Sequence, residues 1–183
     1  MIGLVDGQIV TDSLVDELEA VDGFAVADPA RDLAKIAVVE RHLGTGRIGL
    51  GFVRGFGLRS GAFASSIAHD AHNLVVVGVD DADMARAITR LGELGGGIVV
   101  SENFGIRAEL PLPIAGLLSD EPLPVVLEQS RAVHEAVERQ GCTFPAPFQM
   151  LSFLALSVIP SLKITDRGLV DVDRFELVPL AAD

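Results

Sequence analysis

The sequence has almost no cysteine, and this lack excludes two kinds of site. Cys142 is the only cysteine among 183 residues, so the chain can build neither a disulfide framework nor a thiolate metal cluster. A buried, inert thiol is the favoured interpretation of Cys142. Tryptophan and tyrosine are missing as well, which leaves phenylalanine as the aromatic platform for base stacking.

Positive charge is also scarce. The chain has 14 basic against 26 acidic residues, a formal net charge of -12, and its only lysines are Lys35 and Lys163. Nonspecific nucleic-acid binding and docking on anionic lipid both need a basic surface, so neither partner is expected. No apolar run approaches the ~20 residues that span a bilayer, and the N-terminus lacks a secretory pattern. We therefore expect a cytoplasmic protein.

Hydrophobic residues make up 49% of the chain, enough for one folded domain of ordinary size. Residues 1–27 are acidic and weakly patterned, with short strand pairs around the turns Asp6-Gly7 and Asp22-Gly23. We interpret them as a lead-in β segment outside the main core. Residues 28–183 form the principal domain.

Strand patterns outnumber helix patterns in that domain. A helix is predicted from Asp81 to Leu94, ended by a run of three glycines, and a second from Pro122 to Gln140. A β-α-β unit extends from Leu74 to Val100. The apolar run from Phe148 to Leu156 fits a strand or a helix. The pattern predicts an α+β domain with a mixed β-sheet and helices packed on the sheet faces.

The densest polar cluster lies between two strand-like runs. Residues 65–73 read Ser-Ser-Ile-Ala-His-Asp-Ala-His-Asn, and the apolar strand Leu74–Gly78 follows at once. Polar groups placed between core strands need partners, which are each other, a metal, a ligand or the local backbone. A turn in which Asp70 and Asn73 bond the backbone is the plainer alternative.

The same stretch resembles a known family. Residues 64–73 are similar to the Ala-Ser-Ser-Val-Ala-His-Asp-Ser-His-Asn signature of the C-terminal domain of bacterial and archaeal adenine deaminases, with Ala71 in place of serine. Further blocks agree in order along nearly the whole chain: residues 37–42, 44–46, 48–53, 110–117, 151–156 and 162–169.

The resemblance implies a hydrolase that converts adenine and water to hypoxanthine and ammonia in purine metabolism, using a divalent metal, manganese or iron. The family's principal metal ligands lie on a barrel domain that begins with a His-x-His strand. This chain has no His-x-His and is too short for a barrel of ~250 residues. We therefore expect its partners to be an amidohydrolase barrel domain and, through the assembled enzyme, adenine, and we expect the isolated chain to be inactive.

Candidate site residues follow from the cluster. His69, Asp70 and His72 are the catalytic candidates, and in a turn they could converge as a two-histidine, one-carboxylate metal set. Alternatively, Asp70 orients one imidazole. The remaining candidates are possible neighbours of the metal, His42 and Glu40, and possible substrate contacts, Ser65, Ser66 and Asn73. His134, in the middle of a helix, is expected to face solvent.

Two function classes remain open at this point. The chain either completes a metal-dependent adenine deaminase, or it is a free-standing binding module for a small molecule or metal. A structural oligomerisation domain is a third interpretation. We expect a homo-oligomer, a dimer being the commonest, or association with the barrel. The contact would involve the loop 111–118 or the run 148–159, unless both segments are simply core.

Overall fold

A computed structural model of the chain, which describes residues 1–181, is built around one large mixed sheet. Its eight strands are β1 (Ile2–Leu4), β2 (Thr11–Ser13), β5 (Leu33–Val39), β6 (Ile48–Arg54), β7 (Ala62–Ser65), β8 (Leu74–Gly78), β9 (Gly97–Glu102) and β10 (Gly105–Pro111). They are arranged in the order β10-β9-β7-β8-β5-β6-β1-β2. All neighbours are antiparallel except β1 and β6, which are parallel. The predicted α+β class with a mixed sheet is confirmed.

Helix α1 (Asp81–Leu94) has the predicted bounds and covers part of one sheet face. The Asp80 carboxylate caps it by accepting the N–H of Asp83 at 2.9 Å, and Gly95 ends it in the left-handed conformation with φ 77°. Met84, Ala87 and Leu91 pack against alanine and valine side chains of β7, β8 and β9. The helix connects β8 to β9, with β7 lying between them in the sheet, so the predicted β-α-β unit is confirmed.

The opposite sheet face is covered by two helices and a small second sheet. Helix α2 (Leu123–Arg139) ends one residue before the predicted Gln140, and His134 on it is exposed, as expected. The ambiguous apolar run begins with helix α3 (Pro147–Leu154). Four of its apolar side chains, Phe148, Met150, Leu151 and Leu154, are buried in the main core. This part of the run is therefore core and not available as a contact surface. No helix among residues 1–181 has the length and apolar character needed to cross a membrane.

The second sheet consists of β11 (Leu162–Thr165), β12 (Gly168–Asp171) and β13 (Glu176–Val178). It lies directly on β6, where Gly49 leaves no room for a side chain, because a Cβ there would overlap the Thr165 carbonyl oxygen. Gly49 and Gly51 thus allow the small sheet to approach β6 closely.

The lead-in segment corrects one expectation. Both predicted strand pairs form, β1 with β2 and β3 (Ala20–Val21) with β4 (Phe24–Ala25). However, β1 and β2 belong to the large sheet, and Ile2 is fully buried in the main core. The segment is not outside the core, because the register with β6 places Ile2 beside buried Val53.

Candidate functional site

The polar cluster forms a loop at one end of the central strands of the large sheet. We call Ser66–Asn73 the signature loop; it connects β7 to its antiparallel neighbour β8. The end of β5 lies beside it, since Val39 pairs with Leu74 at the start of β8. The residues that follow β5, from Glu40 onward, are therefore placed against the signature loop.

The two serines at the start of the loop are buried and bond the backbone. The Ser66 hydroxyl donates to the Gly116 carbonyl at 2.5 Å and accepts the N–H of Gly97 at 2.8 Å. The Ser65 hydroxyl accepts the N–H of Ile67 at 2.9 Å. Ser66 thus uses its donor and one acceptor position within the fold, and Ser65 uses one acceptor position. Because both side chains are buried, their substrate-binding role stays a prediction that this geometry does not favour.

His72 is also used to shape the loop. Its backbone is left-handed, with φ 49°, and its Nδ1 accepts the N–H of Ala68 at 3.2 Å. A nitrogen that accepts a hydrogen bond carries no proton, so the neutral ring is protonated on Nε2. Burial, followed by the nearby charges of His69 and Arg41, lowers the pKa of His72. Both effects favour the neutral imidazole.

Arg41 holds the signature loop in place, and the cluster pattern did not single it out. Its Nε donates to the His72 carbonyl at 2.5 Å and its terminal nitrogen to the Ala115 carbonyl at 2.7 Å. The guanidinium therefore ties the signature loop to the loop that follows β10. Two features of the sequence pointed to Arg41. It lies in the block 37–42, and the planar guanidinium can donate to two carbonyls at once.

Glu40 organises the turn after β5. Its carboxylate accepts the N–H groups of His42, Leu43 and Thr45 at 2.6, 2.7 and 3.0 Å, and the Thr45 hydroxyl at 2.9 Å. These bonds hold the pKa of Glu40 at about 2, the contributions of Thr45 and Leu43 being the largest. His42 in turn donates from Nε2 to the Ala71 carbonyl at 2.6 Å. Both predicted neighbours lie beside the signature loop, and both bond backbone.

His69 and Asp70 differ from the other candidates. The backbone N–H of His69 donates to the Ser152 carbonyl at 3.0 Å, and its ring stacks obliquely on Phe153 with centroids 5.0 Å apart. Among residues 1–181, neither the His69 ring nor the Asp70 carboxylate has a hydrogen-bond or ion-pair partner. Hydrogen bonds therefore fix the backbone of the loop, whereas the His69 imidazole and the exposed Asp70 carboxylate remain free.

A cavity of about 220 Å³ lies beside Asp70 and is also lined by Asn73 and Asp166. Asn73 is buried and makes two long hydrogen bonds, from the Arg41 N–H at 3.4 Å and to Asp166 at 3.5 Å. Asp166 is paired with Arg47 at 2.7 Å. Sequence reasoning did not single out Asp166 as a neighbour of the cluster, although it lies in the block 162–169.

The predicted metal set does not close within this chain. The His69 and His72 rings are 6.0 Å apart, one nitrogen of His72 is occupied, and the Glu40 carboxylate is saturated by four donors. Over the described part of the chain, no three histidine, cysteine, aspartate or glutamate side chains are grouped so that they could hold a metal ion. The described residues therefore do not by themselves supply a closed ligand set for a divalent cation.

Comparison with known proteins identifies the family. The family described as adenine deaminase C-terminal domain matches residues 8–176. The chain belongs to this family. Among the relatives named adenine deaminase, those of Oleidesulfovibrio alaskensis and Cereibacter sphaeroides are 53% and 55% identical over 98% of this chain, and that of Archaeoglobus fulgidus is 52% identical over all of it. In each case the match covers 32% of the relative.

The chain therefore spans about a third of the length of these adenine deaminases. Its expected place as the C-terminal domain is confirmed by the family description. The remaining two thirds of each relative has no counterpart among these 183 residues.

Proposed function

We propose that this chain acts as the C-terminal domain of an adenine deaminase, which hydrolyses adenine to hypoxanthine and ammonia. The observation that carries this proposal is the family match over residues 8–176, together with relatives of that name at more than 50% identity. The preceding two thirds of the polypeptide would be the amidohydrolase barrel. It would hold the divalent metal, manganese or iron, since residues 1–181 of this chain contain no closed ligand set.

Within the assembled enzyme, the signature loop is the part of this chain proposed to complete the catalytic site. His69 and Asp70 are the candidates for contact with adenine, since each other polar side chain of the cluster already makes a hydrogen bond within the fold. Arg41, Glu40 and Ser66 act as positioning residues that fix the loop. Such fixed geometry is what a proton-transferring imidazole or carboxylate requires. We further propose a cytoplasmic location, and self-association of the assembled enzyme.

The test joins this chain to the preceding two thirds of the Archaeoglobus fulgidus relative and measures ammonia release from adenine. We expect activity from the joined polypeptide. His69→Ala should lower kcat by about 100-fold or more, the usual contribution of a positioned acid or base, with little change in Tm. His134→Ala on α2 is the matched control, because it removes an exposed imidazole outside the cluster.

An inactive joined polypeptide that folds and binds metal would contradict the proposal, and equal rates in the two histidine variants would remove His69 from the site. The second candidate, a free-standing binding module, is favoured only by the cavity of about 220 Å³ beside Asp70. Calorimetric titration of the isolated chain with adenine tests that alternative, which predicts binding without the preceding part.

A further inference from the structure

One half of a sheet face remains uncovered. Helix α1 lies over β7, β8 and β9, but the same face continues across β5 and β6. In the antiparallel register, Ile48 is opposite Val39 and Leu50 is opposite Ala37, so these four side chains share that face. Ile48 and Leu50 are 54% and 59% exposed, although they lie on a strand with neighbours on both sides.

The uncovered strands form the floor of an apolar groove of about 670 Å³. One wall is α1, through Met84 and Ile88, and the other includes Phe24 of the β3–β4 hairpin, which is 74% exposed. The charged groups at the groove, Lys35 and Asp81, are paired with each other at 2.8 Å. The groove is therefore suited to an apolar partner and carries no unpaired charge that burial would penalise.

A sheet face in the middle of a domain is normally covered by a second layer. On the opposite face of β5 and β6, that layer is the small sheet, which contacts Gly49 and Gly51. An apolar patch of this kind, left open on one side only, is typical of an interaction surface.

The strand register indicates where the missing layer comes from. β1 is parallel to β6, with Ile2 level with Val53 and Gly3 level with Arg54. The relatives contain a further two thirds of polypeptide outside the matched region of a C-terminal domain. Because β1 is parallel to β6, a segment leading into β1 would come from the Ile48 end of β6, which is the end where the uncovered side chains lie.

The structure assigns this groove, on the α1 side of β5 and β6, as the surface on which the preceding catalytic part of the polypeptide packs. Ile48, Leu50 and Phe24 are the side chains that the packing covers. The inference rests on the proposed function for the nature of the occupant. It differs from the role of the signature loop, which connects β7 to β8 and lies beside the end of β5.

Thiol labelling tests the assignment, because access controls the reaction rate of an introduced cysteine. Leu50→Cys is compared with Leu177→Cys, a strand position of similar exposure, 55%, on β13. Cys142 gives little background near pH 7.5, since burial raises the pKa of its thiol to about 11. Each variant is labelled in the isolated chain and in the joined polypeptide, and the joined parent without the new cysteine is subtracted.

We expect both cysteines to react readily in the isolated chain, and Leu50→Cys to become at least about tenfold slower in the joined polypeptide while Leu177→Cys is unchanged. Equal reactivity of Leu50→Cys in the two contexts, or equal slowing of both variants, would overturn the assignment. Slowing of Leu50→Cys in the isolated chain as its concentration rises would identify a second copy as the occupant and also overturn it. Adenine turnover is scored separately: activity without protection overturns only the docking surface, and protection without activity overturns only the proposed function.

Discussion

At the scale of single residues, the side chains of the polar cluster fall into two groups: those that hydrogen-bond the backbone and those that have no partner in the described part of the chain. Ser66, His72 and Glu40 direct their polar atoms to backbone groups, and Arg41 holds two carbonyls. A buried polar group must be satisfied, so most of a conspicuous polar motif can be required by the fold itself. Within residues 1–181, the His69 ring and the Asp70 carboxylate have no hydrogen-bond partner, and the proposed function places these two side chains at the substrate.

Lys163 provides a test of burial at the same scale. The side chain is fully buried and Nζ donates to the Ile9 carbonyl at 2.9 Å; no carboxylate pairs with it among residues 1–181. Burial lowers the pKa of this lysine to about 8. Between pH 8 and about 10.5 the unfolded chain holds a proton that the folded chain has lost, so stability should rise with pH there, by at most about 1.4 kcal/mol per pH unit.

The measurement is urea unfolding at pH 7, 8, 9 and 10 for the wild type and Lys163→Met. Relative to that of the variant, the free energy of unfolding of the wild type should increase as the pH rises above 8. If the free energies of unfolding of the two proteins differ by the same amount at every pH, Lys163 keeps an ordinary pKa.

At the scale of elements, the packing of the small sheet on β6 depends on a residue without a side chain. A Cβ on Gly49 would overlap the Thr165 carbonyl and come within 2.8 Å of the Gly168 nitrogen. Both obstacles are backbone and cannot rotate away. Gly49→Ala should therefore lower the free energy of unfolding by about 3 kcal/mol, the upper part of the range for overpacking.

Gly92→Ala is the matched control for that substitution. Gly92 lies inside α1 with open space at its Cβ position, so alanine there should stabilise the chain by about 0.5–1 kcal/mol. Urea unfolding at constant pH measures both variants. If the Gly49→Ala protein is as stable as the wild type, the small sheet can move away from β6 without lowering the free energy of unfolding.

At the scale of the whole molecule, the central expectation is that this chain alone does not deaminate adenine. It spans about a third of its relatives, and the His-x-His pair that the resemblance places on the barrel has no counterpart in its sequence. Purified chain mixed with adenine and either manganese or iron should release no ammonia above the blank. Turnover of about 1 per second or faster, an ordinary enzyme rate, would refute this.

The sequence by itself determined the family, the α+β class, the bounds of α1 and both N-terminal strand pairs. These depend on local signals, such as the acidic start and glycine stop of α1, or on several blocks in a fixed order. The ambiguous run 148–156 shows the limit, because an apolar stretch in a core has no periodicity that separates strand from helix.

Only the tertiary structure decided which polar groups are free and which face is uncovered. Arg41 and Ala115 are 74 positions apart in the sequence, and they meet only because the strands bring their loops to the same end of the sheet. The lead-in strand β1 joined the core through long-range pairing with β6, which local pattern does not encode. Ile48 and Leu50 have the same apolar character as core residues, and only the placement of α1 over β7, β8 and β9, rather than over β5 and β6, leaves them exposed.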